Sequence, residues 1–330
     1  VWHGKEPFEK YADNIGRFMS EYGFQSYPEM NAVKKFTNPE DRDLHSDVML
    51  SHQRCMADVR KDKEYGNRLI QWYMDRMYKQ PDDFEKYLYV AQLVQAEGIK
   101  AAIEAHRRNM LKCMGTMYWQ IDDCWPVASW SSIDYYGNWK ALHYYVRDAY
   151  KPVLISPVMN DNKVDVFIVS DKLEEFSSSL EITAYNFSGK QISKRTIPLK
   201  VEPNTSKRYF SFDKKGLIKS EDDEEVFVLF QLKENDKVLA ENKLFFVEPK
   251  DLELEKPEIQ RKIVKTSDGY HIELTSNKFA KNVFLSLDES YFFSDNYFDL
   301  LPGITKTVEL KTEKEIIDVE KELKIISLFN

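Results

Sequence analysis

The sequence changes character near residue 150, and this change constrains the fold more than any other feature. Before it, apolar and aromatic residues recur at helical spacing. After it, short runs of alternating apolar and polar residues lie between turn signals. We therefore predict a mixed α/β region followed by an all-β region. The 330 residues of the chain are enough for two or three domains, each with its own core.

The chain before residue 150 contains four helix signals. Asn38-Pro39-Glu40-Asp41 predicts a helix start, because it combines an N-cap acceptor, a proline at the first helical position and acids near the positive end of the helix dipole. Further helices are predicted over Tyr65–Tyr78, after Gln80-Pro81-Asp82-Asp83, and from Lys140 to Tyr150. In the third of these helices, an apolar stripe typical of a buried face consists of Phe84, Tyr87, Leu88, Ala91, Val94 and Ile99.

The region after Pro152 reads as short strands. The clearest are Val164–Val169, Leu180–Tyr185, Val226–Phe230 and Lys243–Val247. Regularly spaced short strands with turn signals between them are typical of an immunoglobulin-like β-sandwich.

A second small sandwich is predicted nearer the end of the chain. The charged segment Pro249–Pro257, with a proline at each end, is the predicted linker to it. Two of its strands are predicted at Gly269–Leu274 and Asn282–Leu287. We predict domains over 1–150, 151–249 and 258–330.

The composition limits the partners of the chain. Its formal net charge of −8 argues against binding to a nucleic-acid phosphate backbone. No apolar run is long enough to span a bilayer, so we expect no membrane partner. The cysteines, Cys55, Cys113 and Cys124, match neither a disulfide framework nor a zinc site in their spacing. The chain starts at Val1 without a signal peptide, so targeting is not readable from it.

One short apolar run leads into a carboxylate. Ile15–Met19 is followed closely by Glu21, and then by glycine and aromatic residues. A buried barrel strand presents an acidic side chain at the mouth of a pocket in this way. The end of an ordinary strand or the start of a helix is the alternative, and the pattern alone leaves it open. Met114–Ile121, followed by Asp122 and Asp123, is the second candidate for a barrel strand.

Five segments together resemble one enzyme family. They are Val1-Trp2-His3-Gly4, Arg17–Pro28, Gly115–Pro126, Ser131–Leu142 and Phe292–Gly303. In these segments the chain resembles the C-terminal part of a family 2 glycoside hydrolase, most closely a β-mannosidase. The resemblance implies an α/β plus all-β fold: the C-terminal part of a (β/α)8 TIM barrel followed by two immunoglobulin-like β-sandwiches. It also implies hydrolysis of terminal non-reducing β-D-mannose, with retention, from an oligosaccharide or glycoconjugate and without a metal or organic cofactor.

The resemblance assigns roles to individual residues. Glu21 takes the position of the family's nucleophile at the end of the seventh barrel strand. Trp119 ends the eighth strand, where an indole ring would form the floor of the sugar subsite, although a Trp on a strand is also commonly a core residue. Trp2 and His3 resemble rim residues after the sixth strand. Asp122 is predicted to bond sugar hydroxyls or, alternatively, backbone amides of its loop.

The chain departs from the family in one respect that matters for catalysis. The acid/base glutamate of the family follows an asparagine at the end of the fourth strand, and this sequence has no Asn-Glu dipeptide. A (β/α)8 barrel needs eight strands over about 250 residues, and residues 1–150 supply two credible ones. We therefore expect half an active site, inactive alone, whose partner is the missing N-terminal part of the same protein.

Two other functions stay open. One is another family 2 activity, such as a β-galactosidase or an exo-β-glucosaminidase, although Asn138-Trp139-Lys140 favours the mannosidase. The other is a non-catalytic carbohydrate-binding or domain-docking module, to which the dense aromatic residues would belong: Tyr291, Phe292, Phe293, Tyr297 and Phe298. We expect these rings to pack at a domain interface. By family analogy, the expected compartment is the periplasm, the cell exterior or a lysosome-like lumen.

Overall fold

The computed structural model describes residues 1–55, 61–288 and 291–329. The helices in these ranges are α1 (Met30–Val33), α2 (Asp47–Ser51), α3 (Tyr65–Met77), α4 (Phe84–Arg108), α5 (Ala141–Ala149), α6 (Lys214–Ile218) and α7 (Ile316–Glu322). Short 3-10 helices lie at Phe8–Ala12, Pro39–Asp41 and Pro249–Asp251. Within the described ranges, no helix combines the length and the apolar character needed to cross a membrane.

In the described ranges, the strands that form sheets all follow α5. They are β1 (Val153–Asn160), β2 (Lys163–Ser170), β3 (Phe176–Asn186), β4 (Gln191–Val201), β5 (Thr205–Asp213), β6 (Val226–Glu234), β7 (Lys237–Leu244), β8 (Ile259–Thr266), β9 (Gly269–Ser276), β10 (Ala280–Ser286), β11 (Phe292–Phe293), β12 (Phe298–Leu300), β13 (Lys306–Lys311) and β14 (Lys324–Leu328). The change of character predicted near residue 150 is therefore confirmed.

The helices α3 and α4 lie where the sequence predicts them. The N-cap of α4 is Asp83, whose Oδ1 accepts a hydrogen bond from the Lys86 amide at 2.8 Å. The helix start predicted at Asn38 is a single 3-10 turn, closed by a 3.0 Å bond from the Asn38 amide to Asp41 Oδ2. The turn does not extend, because no apolar stripe follows it that a helix could bury.

The core of the region before β1 is aromatic. The ring of Phe24 lies 4.4 Å from Trp2 and 4.7 Å from Tyr73, centroid to centroid, and Phe8 stacks on Tyr73 at 5.3 Å. The Tyr73 hydroxyl also donates to the Val1 carbonyl at 2.6 Å. Ring packing of this kind buries much apolar area for each residue. It attaches the first residues of the chain firmly to α3.

Two antiparallel sheets form the first sandwich, in the orders β1-β2-β5 and β4-β3-β6-β7. Their facing side chains form one apolar core that includes Ile155, Val166, Ile182 and Phe230. The strand predicted over Lys243–Val247 ends earlier, at Leu244. The residues beyond it leave the sheet because Phe245 packs against Phe227 and Phe279, with ring centroids 5.9 and 6.0 Å away.

The second sandwich has sheets in the orders β11-β13-β9-β8 and β12-β10-β14. Its core includes Ile272, Leu274, Val283 and Val308. The predicted linker connects the two sandwiches, but it is not free of them. Leu252 and Leu254 are buried in the same aromatic cluster as Phe227 and Phe279. The two sandwiches are therefore packed together through their connection.

The first sandwich is attached to α4 by a buried arginine. Arg107 Nη1 donates to the carbonyls of Ala149 and Lys151 at 2.6 and 2.8 Å, and its Nη2 pairs with Asp171 at 2.8 Å. A guanidinium fork suits such a cluster of acceptors. Arg107 therefore fixes the end of α5 and the loop after β2 to one another.

The aromatic residues of the second sandwich pack on the helical region. Phe292 meets the Trp139 ring edge to face at 5.0 Å, and the Tyr297 hydroxyl donates to Gln92 Oε1 at 2.8 Å. Tyr89 of α4 donates in turn to the Asn282 carbonyl at 2.6 Å. These rings therefore form a domain interface and not an exposed row of aromatic rings that would bind a carbohydrate.

Candidate active site

Two segments of the partial barrel run side by side in parallel. The Met19 amide donates to the Gly115 carbonyl and the Met117 amide donates to the Met19 carbonyl, each at 2.8 Å. Further along, the Trp119 amide donates to the Tyr22 carbonyl at 2.8 Å. The first two bonds form a parallel bridge between Met19 and Thr116. It brings the carboxyl ends of both segments to the same edge.

Glu21 lies at this edge, exposed to solvent. The next side chain, Tyr22, faces the helices, with its hydroxyl 2.7 Å from Thr116 Oγ1 and 3.3 Å from the Tyr150 hydroxyl. Glu21 is exposed whereas the Tyr22 ring packs against His106 of α4, so the two neighbouring side chains have different environments. Among the described residues no side chain pairs with the Glu21 carboxylate. The side chain of Arg17, on the same segment, is itself exposed.

Trp119 is bonded through its amide to Tyr22, the residue after Glu21, and 46 % of it is exposed. Close backbone packing brings the two strands together here: a Cβ on Gly23 would lie 2.6 Å from the Trp119 carbonyl oxygen and 2.7 Å from Cδ1 of Trp130. Only glycine fits at such a distance. The peptide bond between Trp119 and Gln120 is cis. An open indole face beside a free carboxylate suits the binding of a sugar ring.

Several apolar residues of these two segments are exposed to solvent. Phe18, Met114, Met117, Trp119 and Ile121 are each about half exposed or more. Single apolar residues on a surface need no explanation, but a contiguous group marks a surface that binds another one. Two parallel strands are too few to close a barrel, and these residues are ones that further strands would cover.

The loop after Trp119 is held by an acidic residue. Asp123 Oδ2 accepts hydrogen bonds from the hydroxyls of Ser129 and Ser131 at 2.8 and 2.5 Å. Its other oxygen accepts a bond from Gln120 Nε2 at 3.3 Å. Asp122, by contrast, is exposed and only its carbonyl is engaged, also by Gln120, at 2.8 Å. Asp123 therefore shapes the loop and leaves Asp122 free to meet a ligand.

A buried lysine lies beneath this loop, and sequence reasoning did not find it. Lys140 is only 2 % exposed, and its Nζ donates to the carbonyls of Ser26 and Ser129 at 3.2 and 3.4 Å. Burial lowers the pKa of Lys140 to about 8, against the opposing influence of the carboxylates of Asp123 and Asp134. Its ammonium joins the segment after Glu21 to the loop after Trp119. The only signal in the sequence is a lysine between Trp139 and an apolar helix face.

Trp2 and His3 have different environments. Trp2 is 5 % exposed in the aromatic core, whereas His3 is exposed and stacks on Tyr65 with its Nδ1 3.2 Å from the tyrosine hydroxyl. No contact of either residue with Glu21 or Trp119 is found in the described parts of the chain. Their role in sugar binding stays a prediction. Likewise, residues 1–55, 61–288 and 291–329 contain no group of three or more His, Cys, Asp or Glu side chains arranged to hold a metal ion.

Comparison with known families identifies both sandwiches. A family described as a "Mannosidase Ig/CBM-like domain" matches residues 162–251, and one described as an "Ig-fold domain" matches residues 254–330. Among curated proteins, β-mannosidase A of Aspergillus fumigatus is 26% identical over 334 residues, which cover 91% of this chain and 36% of that protein. β-Mannosidase A of Aspergillus terreus is 33% identical over 196 residues, or 54% of this chain and 21% of that protein.

Solved structures give the same result over the whole chain. The β-D-mannosidase of Dictyoglomus thermophilum superposes with a TM-score of 0.86 and 29% identity, covering 99% of this chain and 39% of that one. The exo-chitosanase of Amycolatopsis orientalis shares the fold, with a TM-score of 0.73 at 17% identity over 98% of this chain and 44% of that one. The chain thus spans little more than a third of the length of the first curated relative, with 36% covered. The chain has the fold of a partial TIM barrel with two immunoglobulin-like sandwiches, and over nearly its whole length it is similar to the C-terminal portion of a family 2 glycoside hydrolase of the β-mannosidase group.

Proposed function

We propose that the complete protein is a retaining exo-β-mannosidase that removes terminal non-reducing β-D-mannose from an oligosaccharide or glycoconjugate. One observation carries this proposal: Glu21 and Trp119 lie at the same end of two adjacent parallel strands, joined there by the bond from the Trp119 amide to the Tyr22 carbonyl. The relatives described above are β-mannosidases, which supports the choice of sugar. The chain covers 36% of the first curated relative, so the activity is proposed for the complete protein.

Glu21 is the proposed nucleophile. Its carboxylate would attack the anomeric carbon of the mannoside and form a covalent glycosyl-enzyme, which water then hydrolyses. Because the carboxylate is exposed, its lone pairs are available to a substrate without breaking an internal bond. The adjacent strand pair limits its movement, which favours the narrow range of geometries in which attack occurs.

The second carboxyl group of the mechanism is proposed to lie outside this chain. A retaining enzyme needs its acid/base group about 5–5.5 Å from the nucleophile, and no Asn-Glu dipeptide of the kind the family uses occurs here. The remaining strands of the barrel, in the N-terminal part of the protein, would supply it. The fragment alone is therefore expected to be inactive.

Trp119 and Asp122 are the proposed substrate contacts. The exposed indole face of Trp119 would pack against the apolar C–H face of the mannose ring. Asp122 has a free carboxylate on the following loop, where it would accept hydrogen bonds from sugar hydroxyls. Trp2 and His3 are proposed as rim residues; for the buried Trp2, such a contact requires the loop at Val1 to open.

The test uses the complete enzyme, with 4-nitrophenyl β-mannoside, β-galactoside and β-glucosaminide as substrates. Glu21→Ala should abolish mannoside hydrolysis. Added azide should restore turnover and give an α-mannosyl azide, because the small anion fills the space of the lost carboxylate and attacks the same face. Glu40→Ala, which removes another exposed carboxylate, is the matched control and should retain activity.

The outcomes separate the mechanism from the sugar. A Glu21→Ala enzyme as active as the wild type would refute the nucleophile. Azide rescue observed only with the galactoside or the glucosaminide would keep the nucleophile and replace the mannosidase by the alternative family 2 activity.

The domain limits 1–150, 151–249 and 258–330 are part of the proposal, as is a location in the periplasm, the cell exterior or a lysosome-like lumen. Limited proteolysis followed by mass spectrometry tests the limits, because cleavage concentrates in exposed connections between domains. Fractionation of the source cells, followed by an assay for mannoside hydrolysis, tests the location.

A further inference from the structure

A cavity of about 560 Å³ lies where the helical region and the two sandwiches meet. Its lining comes from α4, α5, β7, β10 and the segment through β12, so no single domain forms it. Neither Glu21 nor Trp119 borders it. The volume is in the usual range for sites that bind small molecules.

Lys281 on β10 is an unpartnered cation in this cavity. Only 4 % of the residue is exposed, yet no hydrogen bond or ion pair to its Nζ is found among the described residues. Its Nζ makes a cation–π contact with the ring of Phe245, whose centroid is 4.1 Å away. Burial opposes the ionisation of nearby Asp299, but Lys281 and Lys243 together lower the pKa of that carboxyl. A buried ammonium usually has hydrogen-bond acceptors, so the three N–H groups of Lys281 are available to a ligand.

Two further side chains with unfilled hydrogen-bonding capacity, Tyr145 and Glu97, line the same cavity. The Tyr145 hydroxyl accepts a bond from Asn282 Nδ2 at 2.6 Å, and its own proton has no acceptor within the described ranges. Burial, followed by the charge of Glu97, raises the pKa of Tyr145 well above its ordinary value, so the hydroxyl stays a donor. Glu97 accepts no hydrogen bond from any described residue. The cavity therefore offers free donors and a free acceptor side by side.

The charges of the cavity walls are nearly balanced. Seven carboxylates and six cationic side chains line it, so it favours neither an anion nor a cation strongly. The rings of Phe245, Phe298 and Tyr145 add apolar surface between these groups. A neutral molecule with many hydroxyl groups and an apolar face satisfies all three features, because each hydroxyl both donates and accepts.

We propose that this junction cavity is a second, non-catalytic binding site for a neutral pyranose sugar of one or two rings. Lys281, Glu97 and Tyr145 supply the hydrogen bonds, and the ring of Phe245 supplies the apolar contact. The site belongs to the chain itself and does not depend on the proposed hydrolysis. A sugar bound there would touch the helical region and both sandwiches at once, and would stabilise their arrangement.

Isothermal titration calorimetry of this chain with mannose and with β-1,4-mannobiose tests the proposal. We expect saturable binding that Lys281→Met weakens by roughly tenfold or more, the effect of losing one charge-assisted hydrogen bond. Glu97→Gln should weaken it as well. Lys237→Met, on the exposed part of β7, and Trp119→Ala, at the proposed catalytic edge, should leave the affinity unchanged.

Urea unfolding of each variant shows whether it is folded. If Lys281→Met does not fold, Glu97→Gln still tests the proposal. The absence of binding would overturn the proposal, as would binding that persists in both Lys281→Met and Glu97→Gln. Loss of binding in Trp119→Ala alone would also overturn it, because the sugar would then occupy the catalytic edge. Binding of phosphate or acetate in place of the sugars would assign the cavity to anions and refute it too. Hydrolysis by the complete enzyme is measured separately, so the two proposals fail independently.

Discussion

Glu29 offers a sharp test of how the second sandwich is held to the partial barrel. The Tyr291 hydroxyl lies 2.9 and 2.8 Å from its two carboxylate oxygens and donates to them, across the interface. Burial raises the pKa of Glu29 to about 8, although the bond from Tyr291 opposes the increase. At neutral pH the carboxyl therefore keeps its proton in the folded chain. In the unfolded chain it ionises near the ordinary value of 4.5.

The sign of the pH dependence follows from these two pKa values. A carboxyl with a raised pKa binds more protons in the folded state, so the stability it supports is complete below pH 4.5 and falls as the pH rises towards 8. Between pH 4.5 and pH 7, linkage gives a loss of about 3 kcal/mol for this one group. Glu29→Gln removes the titration and keeps an oxygen that accepts the bond from Tyr291. The difference in unfolding free energy between the variant and the wild type should therefore grow by that amount over the same interval.

Urea unfolding of both proteins at several pH values between 4.5 and 8 measures this difference, with the slope m checked for constancy. Glu40→Gln changes an exposed glutamate of the same region and should give a difference that does not vary with pH. A Glu29→Gln difference that is equally flat would show that the carboxyl is ionised in the folded chain, and the reasoning would be wrong.

Three more substitutions test other contacts. Gly23→Ala should lower the thermal unfolding midpoint measured by calorimetry, because the new Cβ would lie 2.6 Å from the Trp119 carbonyl oxygen. An unchanged midpoint would show that the two segments can move apart at no cost. Arg107→Met should cost about 1–3 kcal/mol in urea unfolding, because the carbonyls of Ala149 and Lys151 lose their donor, and an unchanged unfolding free energy would contradict this role. Burial lowers the pKa of Lys140 to about 8. The unfolding free energy of the wild type relative to Lys140→Met should therefore fall by about 2 kcal/mol as the pH falls from 10 to 8. If this difference in unfolding free energy does not vary with pH, the lysine is solvated.

The elements that follow from local patterns were predictable. The Asp83 side chain caps α4 where the sequence places a helix start, and the alternation in Val164–Val169 gives β2. A helix stripe or a strand alternation is a property of neighbouring residues, so one sequence contains it in full. The candidate site was predictable in part for another reason: Glu21 and Trp119 lie in segments that resemble one family.

What the sequence did not reveal depends on contacts between distant residues. Lys140 reads as an ordinary lysine at a helix start, and its burial depends on the carbonyl of Ser26, more than a hundred positions away. Phe245 continues a strand pattern, and its departure from the sheet depends on the Phe279 ring of the next domain. Sequence periodicity does not encode such partners.

The second sandwich stands in a direct structural relation to the proposed nucleophile. The chain runs from Glu21 to Glu29 in eight steps, and Glu29 and Asn31 are both bonded to that sandwich, at Tyr291 and at the Leu287 carbonyl. The segment that carries the carboxylate is thus fixed at its far end by a domain that contributes no group to the proposed chemistry. This arrangement explains why Tyr291 packs inward: its hydroxyl is engaged in holding the segment that carries Glu21. Removal of the second sandwich from the complete enzyme should therefore lower kcat for all substrates alike, because the segment that carries the proposed nucleophile loses its support. The loss of a sugar-binding module would instead raise KM, and only for long substrates.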